Sequence, residues 1–169
     1  MRGPLEGVFF DAGNTLLVEE PGKHLWEMDI APIPGAAELL TTLRPRYRVG
    51  IISNTVGSGD AELDAALTKA GLRSYIDALV TSRDFGHAKP DPAIFVEGAR
   101  RLGVALAATC MVGDRLDTDI AGALNAGIPA IWLKHPGAVM VAGITPTAVI
   151  TRLADLPAWL DATYTQIER

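Results

Sequence analysis

Short apolar runs alternate along the chain with segments whose apolar residues recur every three or four positions. The runs are rich in β-branched residues and predict strands at residues 7–11, 47–53, 77–81, 109–113, 129–134 and 148–151. Strands that are covered on both faces have nearly continuous apolar sequences of this kind. Because strand and helix alternate, the pattern predicts βαβ units with right-handed crossovers, and a parallel sheet of at least five strands.

The helical segments are bounded by residues that commonly begin or end helices. Asp91 is expected to be the N-cap of the third helix, with Pro92 at its first position, and Asp117 is expected to cap the fourth. Glycine follows the last periodic residue of three segments, as it often does at the end of a helix. The predicted helices are residues 36–43, 60–70, 92–102, 117–126 and 155–166.

Composition narrows the class of protein. The chain has 169 residues, of which 49% are hydrophobic and 21% charged, as expected for one globular domain. The net charge of −5 argues against general nucleic-acid binding. No apolar run is long enough to span a membrane, and the first residues lack the apolar stretch of a signal peptide, so we expect a cytoplasmic protein. The single cysteine, Cys110, lies in an apolar run and is expected to be a core residue.

Polar residues follow several of the predicted strands, where ligands collect in parallel sheets. Asp11 follows the first strand in DAGNTL, and Ser53 ends the second in IISN. Lys89 lies in AKPDP, and Asp114 follows the fourth strand in VGDRLDTD, with Asp119 shortly after it. The carboxyl ends of parallel strands share one edge of the sheet. We therefore expect Asp11, Ser53 and Asp114 to meet there, with Lys89 arriving on a loop.

These four segments, in this order, resemble the motifs of the haloacid dehalogenase-like (HAD) hydrolase superfamily, and the resemblance covers about residues 7–132. Each segment alone has an ordinary interpretation as a turn, an N-cap or a strand end, but four in order make chance a poor explanation. The resemblance implies a doubly wound, Rossmann-like α/β core domain over residues 1–169, with strand order 5-4-1-2-3. It also implies a phosphohydrolase that works through an aspartyl phosphate on a phosphorylated substrate.

The residue types suit this chemistry. A carboxylate such as that of Asp11 can attack phosphorus and divide the displacement into two steps. Carboxylates also suit Mg²⁺, which brings two anions together. Asp119 is expected either to join the metal site or to pair with Lys89. The expected metal ligands are Asp11, Asp114 and Asp119, and the resemblance implies that the Gly13 carbonyl is a further ligand. Ser53 and Lys89 count with Asp11 as catalytic, and the residues expected to hold the phosphoryl group are Gly13, Asn14, Ser53, Asn54 and Lys89.

One position departs from the phosphatase form of the first motif, Asp-x-Asp-x-Thr. The second aspartate, which serves as general acid and base in the phosphatases, is Gly13 here. General acid–base help typically contributes ~100- to 10,000-fold in rate. Two interpretations stay open: a weak or specialised Mg²⁺-dependent phosphohydrolase, which we favour, and a pseudo-enzyme that binds phosphate and metal and acts through a protein partner.

The spacing of the motifs predicts an open site. Too few residues separate Asp11, Ser53 and Lys89 to hold an inserted cap domain, so we expect a capless member of the superfamily. Residues 18–34 have no helical period and directly follow the first motif, which predicts a flap beside the site. Within it, His24 is expected to be structural or solvent-facing, and Trp26 to be either a flap residue or a plug for the core. The resemblance implies two alternatives for a capless member: it acts on large substrates, or a neighbouring subunit of a homo-oligomer supplies a lid.

Overall fold

A six-stranded parallel sheet forms the centre of the computed structural model, which describes residues 2–165. Its strands lie in the order β3-β2-β1-β4-β5-β6, so the first strand occupies the middle of the sheet. The predicted order 5-4-1-2-3 is confirmed, with a sixth strand added beside the fifth. The strands are β1 Gly7–Phe10, β2 Arg48–Ser53, β3 Ala78–Thr81, β4 Thr109–Gly113, β5 Ala130–Leu133 and β6 Ala148–Ile150.

Helices cover both faces of the sheet, as expected for a doubly wound domain. They are α1 Ala36–Leu43, α2 Asp60–Lys69, α3 Ser82–Phe85, α4 Ala93–Leu102, α5 Ala121–Asn125 and α6 Leu156–Thr163. Side chains alternate along β1, so Val8 and Phe10 pack with α1, α2 and α6, whereas Phe9 packs with α4 and α5 on the other face. The two resulting cores hold the strand ends rigidly at one edge of the sheet.

Two predicted helix starts are wrong in detail. Helix α4 begins at Ala93 rather than Pro92, although Asp91 still accepts a hydrogen bond from the Ala93 N–H at 2.9 Å. Asp117 does not cap its helix, because the chain enters a π-helical turn at Leu116–Ile120 before α5 begins. The last helix ends at Thr163, and Gln166, the predicted end, lies outside the described residues.

Between residues 2 and 165 the connections from one strand to the next hold single helices, short 3₁₀ turns and loops, with no second domain inserted. The predicted flap after β1 contains a 3₁₀ turn at Leu25–Glu27. Among the described helices, none has the length and apolar character needed to cross a membrane.

Candidate active site

Asp11 and Ser53 lie at the carboxyl edge of the sheet and line one pocket of about 420 Å³. Asp11 follows the central strand, its N–H donates to the Val112 carbonyl of β4 at 3.0 Å, and only 9% of the residue is exposed. Ser53 ends the adjacent strand β2 and is also buried. Gly13 and Lys89 line the same pocket. The strand ends therefore bring these residues together as the sequence predicts.

Lys89 is the central cation of this pocket. Its Nζ lies 2.8 Å from Asp11 Oδ1, 2.7 Å from Asp119 Oδ1 and 2.6 Å from the Ile52 carbonyl. The contacts with Asp11 and the Ile52 carbonyl are hydrogen bonds, whereas the contact with Asp119 is an ion pair without hydrogen-bond geometry. Lys89 is 3% exposed, which makes its charge depend on the two carboxylates rather than on water. Burial alone lowers the pKa of Lys89, but Asp11 and Asp119 outweigh it and raise that pKa above its ordinary value.

The loop that carries Lys89 is fixed by Asn54. The Asn54 side chain donates to the Lys89 carbonyl at 2.8 Å and accepts from the Lys89 N–H at 2.8 Å. This pair of hydrogen bonds mimics the pairing of a neighbouring strand and sets where the lysine enters the pocket. Asn54 thus acts on the position of Lys89 in this structure, and its predicted contact with a phosphoryl group stays a prediction.

Three carboxylates form an acidic cluster beside Lys89. One oxygen from each of Asp11, Asp114 and Asp119 lies within 4.8 Å of the others. The Thr15 hydroxyl lies 3.5 Å from Asp114 Oδ1, and the indole N–H of Trp132 donates to the Asp114 carbonyl at 2.9 Å. Asp119 is fully buried in the π-helical turn, where its Oδ2 accepts from the Arg115 N–H at 3.1 Å. These contacts hold the three oxygens at a spacing that one cation can bridge.

Burial raises the pKa values of all three carboxyl groups. For Asp11 the Lys89 ammonium opposes this shift, while the negative charge of Asp114 adds to it. Burial raises the pKa of Asp119 to about 6, again against the attraction of Lys89. The pKa of Asp114 is raised by burial and by the neighbouring Asp119. The cluster therefore carries more negative charge than one lysine balances, and a bound cation would relieve it.

A tight turn connects Asp11 to the flap. The N–H groups of Leu16 and Leu17 both donate to the Ala12 carbonyl, at 3.0 and 2.9 Å. Asn14 has a left-handed backbone with φ of 55°, a conformation that asparagine tolerates better than most residues. The Asn14 carbonyl lies 2.6 Å from His135 Nε2, and because a carbonyl only accepts, this ring nitrogen carries the proton. His135, which follows β5, therefore restricts the turn that follows β1.

Gly13, where the phosphatase motif has its second aspartate, has a backbone that other residues can adopt. It does not have a positive φ. A Cβ placed on Gly13 would lie 2.7 Å from Glu19 Oε2 and 3.1 Å from Glu19 Cδ. The space beside Gly13 is therefore already filled by a carboxylate from the flap. The sequence includes Glu19 in the predicted flap but gives no signal that its side chain turns back toward Gly13.

The flap closes one side of the pocket. Val18 and Glu19 line it together with other flap residues, namely Gly22, Lys23, His24, Leu25, Met28 and Ile30. His24 Nδ1 lies 3.0 Å from the Val56 carbonyl, and the His24 ring stacks on Trp26 with centroids 4.4 Å apart. Trp26 is 58% exposed, which rules out the alternative that it plugs the core. The flap is thus attached to the loop after β2 through His24.

A doubly wound parallel domain with a carboxylate directly after its central strand, a buried lysine and further carboxylates is typical of the class of HAD-like hydrolases. The family model described as haloacid dehalogenase-like hydrolase matches residues 11–127. The chain belongs to this family, and the predicted family membership is confirmed.

Two curated relatives extend the comparison. The pyrimidine 5'-nucleotidase YjjG of Escherichia coli (strain K12) is 36% identical over 154 residues, which are 87% of this chain and 67% of the relative. The N-acylneuraminate-9-phosphatase of Rattus norvegicus is 35% identical over 127 residues, 73% of this chain and 50% of the relative. The chain thus spans about two thirds of the first relative and half of the second.

A solved structure is similar over nearly its whole length. This is an uncharacterized protein from Listeria monocytogenes serotype 4b, with a TM-score of 0.81 and 28% sequence identity. The match covers 92% of this chain and 97% of that chain. It agrees with the parallel sheet and helices described above.

Proposed function

We propose that this protein is a Mg²⁺-dependent phosphohydrolase that moves the phosphoryl group of a phosphate monoester first to Asp11 and then to water. The observation that carries the proposal is the buried Lys89, whose ammonium contacts Asp11 and Asp119 at 2.8 and 2.7 Å. The names of the two relatives, a nucleotidase and a phosphatase, support the same reaction class. Burial of a charged group costs free energy, and a structural role alone would not require a buried cation beside three carboxylates.

The acidic cluster fits Mg²⁺. This ion prefers oxygen ligands at ~2.0–2.1 Å, and oxygens from Asp11, Asp114 and Asp119 within 4.8 Å of one another match a single small cation. Asp11 and Asp114 are the residues that would hold it, because Asp119 already pairs with Lys89. A bound Mg²⁺ would offset the charge of the phosphoryl group and let an anionic nucleophile approach it.

The chain's own residues have separate tasks in the proposed reaction. The Asp11 carboxylate attacks phosphorus, and the bond from phosphorus to the substrate oxygen breaks. Lys89 orients the Asp11 carboxylate and offsets its charge, and Asn54 keeps Lys89 in place. The buried Ser53 side chain lines the pocket, and we propose that its hydroxyl donates to the phosphoryl oxygens. Lys89 is only 3% exposed, so direct binding of the phosphoryl group by Lys89 would require its ammonium to shift from its present contacts.

We propose that the chain functions as a capless member of the family. The flap covers one side, and no inserted domain covers the remainder in residues 2–165. We propose that large substrates are accepted, or that a second copy of the chain supplies a lid. Size-exclusion chromatography with light scattering distinguishes these two arrangements, because the lid requires a stable oligomer.

A panel of phosphorylated compounds assayed with and without Mg²⁺ tests the function. We expect phosphate release that requires Mg²⁺ and is abolished by Asp11→Asn, which keeps the size of the side chain but removes its nucleophilic charge. Asp117→Asn is the matched control, since Asp117 pairs with Arg115 at the surface. Tight binding of Mg²⁺ and inorganic phosphate without turnover of any compound would instead favour the pseudo-enzyme.

A further inference from the structure

We infer that Glu19 is the proton donor and acceptor of this site, in the place of the aspartate that Gly13 lacks. The inference rests on the proposed phosphohydrolase function. Glu19 Oε2 lies 2.7 Å from the position of a Cβ on Gly13. The two bonds between the Cβ of an aspartate and its carboxylate oxygens span a similar distance. A carboxylate oxygen is therefore present at about the distance from position 13 at which an aspartate would put one, but it comes from the flap.

Glu19 is held in this position by Asn14. The Asn14 side chain donates to Glu19 Oε2 at 3.2 Å, and its Oδ1 accepts from the Glu19 N–H at 3.2 Å. The left-handed backbone of Asn14, fixed by His135, sets the direction of that side chain. Asn14 thus holds both the backbone and the carboxylate of Glu19, which is more constraint than an exposed surface glutamate ordinarily has.

The root of the flap restricts Glu19 further. The Val18 N–H donates to the Ala31 carbonyl at 2.9 Å, and the Ile33 N–H donates to the Leu16 carbonyl at 2.8 Å. These two hydrogen bonds join the first residues of the flap to its last residues, and Val18, which makes one of them, directly precedes Glu19. The glutamate therefore begins from a fixed backbone position and lines the same pocket as Asp11.

The glutamate and the glycine are complementary. Any side chain at position 13 would collide with Glu19, and a glycine there leaves the flap carboxylate room to approach the turn. A glutamate is one methylene longer than an aspartate and crosses the turn from the flap side. The absence of a side chain at position 13 thus leaves the space that the Glu19 carboxylate occupies.

The proposed proton transfers balance over one turnover. In the first step Asp11 attacks phosphorus, the bond to the alcohol oxygen breaks, and protonated Glu19 gives its proton to that oxygen. In the second step the Glu19 carboxylate takes a proton from water, and the resulting hydroxide attacks phosphorus. The bond between phosphorus and Asp11 then breaks, which releases phosphate and restores the Asp11 carboxylate and the protonated Glu19.

Glu19→Gln tests the inference, with Glu20→Gln as the matched control. Both remove one carboxylate charge from the flap, but Glu20 is not among the residues that line the pocket, and it contacts Lys23 and the Asp29 N–H. With an alkyl phosphate, kcat of Glu19→Gln should fall ~100-fold or more, since the alkoxide departs poorly without a proton. With 4-nitrophenyl phosphate, the first turnover should keep the parent's rate, because this leaving group needs no proton.

The second proton transfer gives an independent readout. Without a base for water, Glu19→Gln should accumulate the aspartyl phosphate, seen as a burst of nitrophenolate and as phosphate trapped on the protein after rapid acid quenching. Glu20→Gln should behave as the parent in every assay. Equal losses in the first-turnover rates on alkyl and aryl phosphates would overturn the inference, as would a parental rate on alkyl phosphates.

Moving the carboxylate back into the turn completes the test. Glu19→Ala empties the space beside Gly13, and adding Gly13→Asp should restore alkyl phosphate turnover that Glu19→Ala alone has lost. The backbone of Gly13 allows this residue, since its φ is not positive.

A parent that hydrolyses phosphate esters while Glu19 variants retain full activity refutes only the role of Glu19. A parent with no hydrolysis refutes the proposed function and the inference together.

Discussion

The Lys89 ammonium lies 2.8 Å from the Asp11 carboxylate, and both groups are almost completely removed from water. Such a pair requires close contact and further hydrogen bonds to offset the loss of hydration. The structure supplies these through the Ile52 carbonyl and Asp119, which both contact the same ammonium. The charge of Asp11 is therefore balanced before any substrate arrives, and the two residues form one electrostatic unit.

Replacement of Lys89 by methionine should destabilise the protein by about 3–5 kcal/mol, because Asp11 and Asp119 would remain buried without their cation. Added Mg²⁺ should recover part of that loss, since it supplies positive charge to the same carboxylates. Urea denaturation with and without Mg²⁺ measures both effects. The exposed Lys69→Met should change the free energy of unfolding by less than ~0.5 kcal/mol. Equal stability of the two variants would show that the buried lysine is not needed to hold the carboxylates.

The sheet could be predicted from the sequence because its strands are buried on both faces. Runs such as residues 109–113 contain almost no polar residue, and that run became β4 with the same bounds. The start of the fourth helix could not be predicted, because the π-helical turn there contains Asp119, which contacts Lys89, a residue distant in the sequence. Asp119 accepts from the Arg115 N–H there, while Asp117 pairs with the Arg115 side chain. Local capping preferences favoured Asp117 as the N-cap of this helix. They do not include the ion pair with Lys89, which holds the Asp119 side chain in the protein interior.

The site residues that lie at strand ends could be predicted from the sequence. The site residue that comes from a loop could not. The sequence places Asp11, Ser53 and Asp114 at one edge of the sheet, and the parallel topology brings them together there. The position of Glu19 depends instead on the left-handed backbone of Asn14. No periodicity or spacing in residues 18–34 records that conformation.

Asp114→Asn should weaken Mg²⁺ binding by more than about tenfold, or ~1.4 kcal/mol, because a charged oxygen ligand becomes neutral. The Trp132 hydrogen bond should persist, since it goes to the Asp114 carbonyl rather than to the side chain. Isothermal titration calorimetry measures the affinity without substrate. Asp117→Asn serves as control, because its carboxylate pairs with Arg115. Parental affinity in Asp114→Asn would place the metal elsewhere.

Mg²⁺ affinity should fall as the pH is lowered through about 6. The pKa of Asp119 is raised to about 6, and burial also raises the pKa values of Asp11 and Asp114. A carboxyl group with a raised pKa keeps its proton up to a higher pH. In mildly acidic solution Mg²⁺ must therefore displace protons from the cluster, whereas well above pH 6 it meets no such competition. Calorimetry in two buffers of different ionisation enthalpy counts the protons released. An affinity independent of pH between about 5 and 7.5 would contradict these shifts.

Gly13→Ala should impair catalysis by displacing Glu19, although it removes no functional group. The new Cβ would lie 2.7 Å from Glu19 Oε2, and the exposed, flexible end of the glutamate is the part that can move. The hydrogen bond from Asn14 to Glu19 Oε2 should then break, at a cost in stability of about 1 kcal/mol or less. We expect the first turnover of alkyl phosphates to slow more than that of aryl phosphates, for the reason given for Glu19→Gln.

The same alanine at Gly3 provides the comparison for this last prediction. A Cβ on Gly3 meets nothing within 4 Å, so Gly3→Ala should leave both substrates and the stability unchanged. In Gly13→Ala, kinetics on alkyl and aryl phosphates should be measured only after circular dichroism and Mg²⁺ titration match the parent. A variant that folds, binds Mg²⁺ and hydrolyses alkyl phosphates at the parental rate would show that the position of Glu19 beside Gly13 has no role in proton transfer. A selective loss on alkyl phosphates would instead indicate that the flap carboxylate must lie against the turn for the leaving oxygen to be protonated.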